Sequence, residues 1–265
     1  SETLTVTPVD DGIYDAAGNE ASTSQSNNTA SLNVVGKSLS FDGSNDYISI
    51  SGTELDDIFS GTNSFTVSAW VFGDGGGNDN QTRNILTKSN APGSDGDNPR
   101  TFQIFKQTNG NLSTILYTTN SNFIGMHVAN GSLEANAWNQ MIITYDGGTN
   151  ANALKWYING SVKALSSTDN HNSFTGMQST SQPFFIGSRV SDNGTGFMGW
   201  NDRIDEVAVW NEVLTANEVS ALYNSAVVLD ARTNSGNYVS QDNLLGYWKM
   251  EEGSGTSITD LSGYG

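Results

Sequence analysis

Residues 64–72 read SFTVSAWVF, and the alternation within them decides the fold. Phe65, Val67, Ala69 and Val71 share one face of an extended chain, because successive side chains of a strand point to opposite sides. The same signal recurs outward along the chain, in Asn84–Lys88 (NILTK), Trp138–Tyr145 (WNQMIITY), Pro183–Gly187 (PFFIG) and Arg203–Trp210 (RIDEVAVW). Leu154–Ile158, Asn159-Gly160 and Ser161–Leu165 read as a hairpin, since Asn-Gly supplies the positive φ angles of a type I′ turn. One helix is signalled. In Thr215-Ala216-Asn217-Glu218 the Thr hydroxyl can accept from the third helical amide while Glu218 reaches back to the cap, and Val219, Leu222 and Tyr223 follow at helical spacing. Many short strands with one late helix predict an all-β protein, a two-sheet antiparallel jelly-roll β-sandwich with one short C-terminal helix.

Composition agrees and excludes several functions. The 265 residues are 15% charged and 35% hydrophobic, with 29 glycines, so solubility comes from amides and hydroxyls rather than from Lys/Glu helices. Lys plus Arg number 11 against 28 Asp plus Glu, a net charge of −17, which argues against nucleic acid and against anionic membrane surfaces. No apolar run is long enough to span a bilayer. The start, Ser1-Glu2-Thr3-Leu4, has no basic flank or apolar core, so any export signal is expected outside this sequence. The absence of Cys removes disulfides, thiolate metal sites and Cys nucleophiles together. Gly73–Asn84, Ser89–Arg100, Ser166–Ser181 and Val190–Asn201 are rich in Gly, Asn, Asp and Ser and too long for simple connectors; they are expected as binding loops or mobile insertions.

A resemblance enters at residues 41–48. Phe41-Asp42-Gly43-Ser44-Asn45-Asp46-Tyr47-Ile48 resembles the opening strand pair of laminin-G-like, concanavalin A-like jelly rolls. Phe65–Trp70, Trp138–Tyr145, Trp156–Gly160, Ile204–Val207 and the helix at Leu214–Tyr223 follow in that family's order, over roughly residues 37–225. Residues 1–35, with IYDAAGN at Ile13–Asn19, resemble the closing half of a bacterial immunoglobulin-like repeat. Leu244–Gly263 resembles the opening of another laminin-G-like unit. The resemblance implies a division at 1–35, 36–226 and 227–265, the first being the end of an immunoglobulin-like repeat or a linker or edge strand, and the last a linker and start of a following module or a docked terminal strand. It also implies a secreted or cell-surface multidomain parent, a large bacterial adhesin, with neighbouring modules of the same polypeptide as partners.

Catalysis finds few builders. Retaining glucanases of this fold carry E-x-D-x-E or E-x-D-x-x-E on one strand, where one Glu attacks and the other protonates. Asp202-Arg203-Ile204-Asp205-Glu206 has neither spacing, and Glu251-Glu252 would point to opposite faces of a strand. Only His127 and His171 exist, both expected on surface loops, and there is no G-x-S-x-G. Gly36-Lys37-Ser38 mimics the end of a P-loop, but Ser31 stands where its first Gly is required. The reading is a chain that is not an enzyme.

Calcium is the expected cofactor, since it takes six to eight oxygens from carboxylates, amides and carbonyls on flexible loops. Asp42 and Asp46 place two carboxylates within one turn, although Asp42-Gly43 alone would make that turn. Asp205 lies in a strand pattern, where an inward acid is costly unless paired or metal-bound. In related jelly rolls the acid at that place often helps hold a structural calcium, so the resemblance gives that role to Asp205, with Asp42 or Asp46 as partners. Pentraxins resemble a second arrangement here: Asp79-Asn80 before one strand and Asp192-Asn193 after another, with Arg189 and Val190 standing near the place of the pentraxin Glu. Asp95 and Asp97 are further oxygen donors nearby.

Aromatic residues decide carbohydrate binding, because a sugar's apolar face stacks on an exposed ring while polar groups take its hydroxyls. Trp70, Trp138, Trp156, Trp210 and Trp248 have structural readings, whereas Trp200 lies in an apparently irregular run, GFMGWN. Trp200 is therefore the expected platform, with Asn193, Asp97 and Phe123 as further ligand contacts and His127 as a weaker candidate. The expected function is a non-catalytic extracellular module that binds a glycan or another cell-surface ligand with calcium. The alternatives are a ligand-free spacer of a surface filament or phage fibre, and a module appended to a polysaccharide-degrading enzyme.

Overall fold

A strand buried on both faces must hydrogen-bond any polar side chain it carries, and β5, the central stretch at Phe65–Phe72, is of this kind. The computed structural model describes residues 2–5, 29–32, 36–74, 80–89, 99–190 and 196–264. These fall into two units, Ser1–Gly36 and Lys37–Gly265. In the first, β1 (Glu2–Thr5) pairs antiparallel with β2 (Thr29–Leu32).

The second unit is a sandwich of two seven-stranded antiparallel sheets, with strands numbered in chain order. The first sheet runs β12 (Ser161–Val162), β11 (Leu154–Ile158), β10 (Trp138–Tyr145), β5 (Phe65–Phe72), β17 (Asn201–Trp210) and β18 (Leu244–Trp248), with β3 (Leu39–Asp42) also on β17. The second runs β13 (Leu165–His171), β9 (Asn122–Val128), β8 (Leu112–Thr119), β7 (Arg100–Lys106), β6 (Arg83–Ser89), β14 (Phe184–Ile186) and β4 (Ile48–Ile50). A short ribbon, β15 (Arg189–Val190) with β16 (Gly196–Phe197), and two helices, α1 (Thr53–Ile58) and α2 (Ala216–Tyr223), complete it.

Between the sheets lies one core. Phe65, Val67, Ala69 and Val71 of β5 meet Phe102, Ile104, Leu116 and Phe184 there. The opposite face of β5 is also covered. Thr66 Oγ1 donates to the Glu212 carbonyl at 2.7 Å and accepts from the Leu214 amide at 3.0 Å, and Trp70 stacks on Tyr223 at 5.9 Å. That covering is α2 and the chain beyond it, packed through Val219, Leu222, Ala231 and Tyr238 onto Trp210 and Tyr247. The capping box forms as its sequence predicts, with Thr215 and Glu218 satisfying each other's backbone amides, and Glu218 also accepts from Ser240. The Asn159-Gly160 hairpin also forms, with φ of 52° and 73°.

Two strands share one edge of β17. Asp42 to Leu39 pairs with Asn201 to Ile204, and Trp248 to Leu244 with Val207 to Trp210, so β3 and β18 lie end to end. The Lys37 amide donates to Glu251 Oε2 at 3.0 Å across their junction. Trp248 is buried in the inter-sheet core and stacks on Phe184 at 5.9 Å, so the C-terminal segment is part of the sandwich.

Two of the expected loops contain regular structure. Residues 165–171 form an edge strand, and 189–190 with 196–197 form a ribbon. Both are polar or short, which hides them from hydrophobic periodicity.

Candidate functional site

Each outer strand of the second sheet alternates, and the core fixes which residues face outward. Phe102, Ile104, Leu112, Leu116, Ile124, Met126 and Val128 point inward. Gln103, Phe105, Ser113, Ile115, Tyr117, Phe123 and His127 therefore point away from the core. Register aligns them in rows: Gln103 beside Ile115, Gly125 and Asp169; Ser113 beside Phe105, His127 and Ser167; and Phe123 beside Tyr117 and His171. Among the described residues no helix packs on this face, because α2 covers the other sheet.

The face is polar yet largely shielded. Gln103, Ser113, Tyr117, His127 and Arg189 are all buried. With the Gln103 amide oxygen turned toward Arg189, it accepts from Nε and Nη1 at 3.2 Å each and from Ser89 Oγ at 3.1 Å, while the amide nitrogen donates to the Tyr117 hydroxyl at 3.1 Å. The opposite orientation would set an NH2 group against a guanidinium. Arg100 lies over the Tyr117 ring, its Cζ 5.4 Å from the centroid. Its backbone amide donates to Gln178 Oε1 at 3.3 Å, and Thr101 Oγ1 donates to the Gln178 carbonyl at 2.9 Å, fixing where β7 starts. Burial first, and then the charge of Arg100, push Arg189 down to about 10. Burial raises the Tyr117 hydroxyl above the usual phenol range, and the two guanidiniums pull it back.

Next to this lies an aromatic ledge. Phe123 stacks on His171 at 4.4 Å with 21° between planes, and Tyr117 packs against Phe123 at 5.6 Å. Phe123 is half-buried and His171 exposed, so ring surface is open to a ligand.

A serine, a histidine and an aspartate also line up. His127 Nδ1 meets Ser113 Oγ at 2.8 Å and Gln107 Nε2 at 3.1 Å, and Nε2 meets Asp169 Oδ2 at 2.8 Å. A hydrolase triad needs its serine where substrate reaches it. Here Ser113 is 0% exposed, and the accessible member is Asp169, whose side chain is 39% exposed against 6% for His127. The arrangement ties three strands together and presents a carboxylate outward. His127 is thus a buried strand residue, not the surface-loop residue expected, because β9 carries it between β8 and β13 in the sheet.

The other residues singled out by sequence fall as follows. Phe123 lies on this face. Trp200 does not: it is 0% exposed, in the inter-sheet core, and is no sugar platform. Its amide donates to the Gly187 carbonyl at 2.7 Å, which draws the GFMGWN run inward. Gly187 has φ +84° and carries the Phe41 ring where a Cβ would be, so only glycine permits that approach.

Asp42 and Asp46 are exposed and serve their own turn, accepting from the Ser44 amide at 2.8 Å and the Asp42 amide at 3.0 Å. Asp205 is not their partner. Asp42 pairs with Asn201, and Asp205 lies four residues further along β17, about 13 Å away at the usual strand rise. Asp205 Oδ1 instead accepts from the Glu206 amide at 2.9 Å. These three carboxylates therefore do not fit one calcium ion, and among the described residues no three acidic or imidazole side chains converge as metal ligands. Asn80 is exposed with φ 54°. Asp79, Asp97, Asp192 and Asn193 lie outside the described residues.

Arg100, Gln103, Tyr117, Asp169 and the pairing role of Arg189 were not foreseen. The available signal was the alternation in RTFQIFK and LSTILYTT, where Gln103, Ser113 and Tyr117 are interleaved with Phe102, Ile104, Leu112 and Leu116.

Comparisons with known proteins agree with this architecture. A family model described as the concanavalin A-like lectin/glucanases superfamily matches residues 42–220. Among solved structures, the chain is similar to the Ruminococcus gnavus IT-sialidase CBM40, with a TM-score of 0.53 and 14% identity over 71% of this chain and 96% of that one. The same CBM40 bound to α2,3 sialyllactose gives a TM-score of 0.51 and 13% identity over 73% and 97%. A protein of Bacteroides ovatus ATCC 8483 described as carbohydrate binding gives a TM-score of 0.52 and 18% identity over 93% of this chain and 63% of that one. At these identities the likeness is one of fold. No curated protein matches the chain.

Proposed function

The chain belongs to the concanavalin A-like lectin/glucanase superfamily, and from that membership we propose that it is a non-catalytic glycan-binding module of a secreted or cell-surface multidomain protein, an adhesin, reading its ligand on the outward face of the second sheet. One observation carries the proposal: the open Phe123–His171 ledge adjoins Tyr117, with Gln103, Arg100, Arg189 and Asp169 further along the same sheet face. Sugars need this combination, a ring for the apolar face and fixed polar groups for the hydroxyls. The carbohydrate-binding descriptions of two structural neighbours support the same reading.

The test is glycan-array screening followed by calorimetry on the best ligand. Phe123→Ala is expected to weaken binding by roughly tenfold, about 1.4 kcal/mol of lost stacking and buried ring area, with little change in unfolding midpoint. Unchanged affinity would move the ligand off this face. An array with no hits would favour the spacer reading.

Calcium belongs to the proposal only through Asp79, Asn80 and Asp192, whose side chains carry carboxylate and amide oxygens of the kind the ion takes. A bound ion raises the unfolding midpoint by mass action, so calcium should raise it by several degrees over chelator at equal ionic strength. The double variant Asp79→Ala with Asp192→Ala should abolish the shift. A midpoint indifferent to calcium removes the ion from the proposal.

A further inference from the structure

We infer that the open side of the sandwich beside β4 receives an extended segment of a partner polypeptide, apolar at alternate residues and basic at the others, which adds to β4 as a further strand. A groove of about 970 Å³ lies there, lined by β4 and by residues 252–258. It is the place where the core is left unfinished. Among the described residues, the five half-buried apolar side chains packed on the inter-sheet core are Leu39, Ile48, Ile50, Leu245 and Ile258, and all five line this groove. They come from the margins of both sheets and from the C-terminal segment, since β4 ends the second sheet and β3 and β18 share the margin of the first. A contiguous apolar patch rimmed by polar residues marks a site of association.

The backbone of β4 faces the same gap. The Gly187 amide donates to the Ile85 carbonyl at 2.8 Å, so along β14 Phe185 bonds toward β6 while Phe184 and Ile186 bond toward β4. Their partners Ile50 and Ile48 therefore use their backbone groups inside the sheet, and Ser49 between them turns its N–H and C=O outward. Ser49 is exposed and lines the groove, and among the described residues nothing bonds its outward edge. Such an edge is a template for another strand. An added strand would gain main-chain hydrogen bonds while its alternate side chains enter the groove. The other margin of this sheet, β13, reads LSSTDNH with Leu165 as its one apolar residue, so a strand added there would bury little apolar surface.

Charge selects the partner. Glu54, Glu252 and Asp260 line the groove, no lysine or arginine does, and Lys37 lies beside it against Gly253. Each carboxylate accepts a local hydrogen bond: Glu54 from the Thr53 hydroxyl, Glu252 from the Thr259 amide, and Asp260 from the Tyr247 and Ser262 amides. None of the three forms an ion pair among the described residues. Basic side chains flanking the apolar ones complement them. A second copy of this chain is a poor occupant, because at −17 each copy repels the other. A sugar fits the floor less well, since sugars stack on open rings and these five side chains are aliphatic. The exposed rings of Tyr47 and Tyr264 make a sugar the rival outcome of the test.

The experiment titrates the full chain by calorimetry with three synthetic peptides of about nine residues, a common strand length. One alternates Val with Lys, one alternates Val with Glu, and one has the composition of the first with Val and Lys in separate blocks. The expected result is one-to-one binding of the alternating Val-Lys peptide, about tenfold or more tighter than either of the others and weakened by salt. Ser49→Pro removes the outward N–H, leaves the pairs to β14 in place and is tolerated on an edge strand. It should weaken that peptide by about tenfold with an unchanged unfolding midpoint. If that variant is unstable, Glu54→Gln with Glu252→Gln carries the test and should erase the preference for Lys over Glu. Equal binding of the blocked peptide would reduce the attraction to net charge and overturn the inference. So would failure of the alternating peptide to bind, a dimer in sedimentation that Ser49→Pro dissociates, or a glycan whose binding Ser49→Pro abolishes. Phe123 lies on β9, five strands from β4 and about 24 Å away at the usual spacing, so Phe123→Ala tests the ledge separately in every case.

Discussion

Trp248→Ala is expected to lower the unfolding midpoint by roughly 10 °C or more, because the indole fills the core between the sheets rather than decorating a tail. It is 2% exposed and stacks on Phe184, and Leu244 and Met250 on either side are buried as well. Removing a buried Trp side chain costs about 3–5 kcal/mol, through lost transfer energy and the cavity left behind. For a unit of this size each kcal/mol shifts the midpoint by about 2–4 °C. Thermal or urea unfolding followed by tryptophan fluorescence measures the effect. A loss below about 1 kcal/mol, within the range of ordinary surface changes, would show that β18 is not part of the cooperative unit.

Asp205→Asn is expected to do the reverse above neutral pH and stabilise the protein. A bulge between Asp205 and Ala208 buries both Asp205 and Glu206, with Glu206 at φ 50°. Burial, followed by the neighbouring charge of Glu206, pushes Asp205 up to about 8. Burial pushes Glu206 up to about 7, against the hydrogen bond from Tyr247 and the charge of Lys249, which favour the ionised form. Groups raised on folding contribute stability that is complete below their unfolded range, near pH 4, and lost as pH rises through the folded values. The midpoint should therefore fall steadily from pH 5 to pH 9. Glu218 and Asp230 are lowered on folding, so their contribution is lost only in acid and is flat across this window. Each tenfold difference in proton affinity is about 1.4 kcal/mol. Even half the difference at Asp205 would make the Asn variant more stable by several degrees at pH 9, roughly 5 °C, while the gain disappears near pH 5. Asn can still accept from the Glu206 amide, so that hydrogen bond survives the change. Parallel slopes for the two proteins in thermal scans across this range would refute the assignment.

The fold was legible where sequence patterns are local and redundant. The alternation of residues 65–71, the Asn159-Gly160 turn and the Thr215–Glu218 box each name a backbone geometry that few residues support, and all three form. The face proposed to bind the ligand was legible only at Phe123. Gln103, Tyr117, His127 and Asp169 sit on four different strands, and polar residues in a strand read as solvated surface until register places them side by side. Trp200 was misread for the converse reason. Its neighbours look irregular in sequence, but Gly187 and Gly199 let two backbones approach, and the chain passes through the core there. Asp205 illustrates a third limit: its burial was correctly anticipated, but its partner is the backbone amide of the next residue at a bulge, which no spacing rule announces.

The shared edge of β17 sets how the second unit responds to tension. β3 and β18 lie end to end, and the start of one meets the finish of the other where Lys37 bonds Glu251. Force applied between residues 37 and 251 therefore acts at a single spot on the sheet margin, not across its length. It peels the two strands away in opposite directions, and the ladder opens one hydrogen bond at a time, as a zip does, instead of resisting in shear. Because Trp248 lies at the junction end of β18 and in the core between the sheets, peeling meets its main resistance at the first step. A single indole thus acts as the latch on which the extension of the whole margin waits.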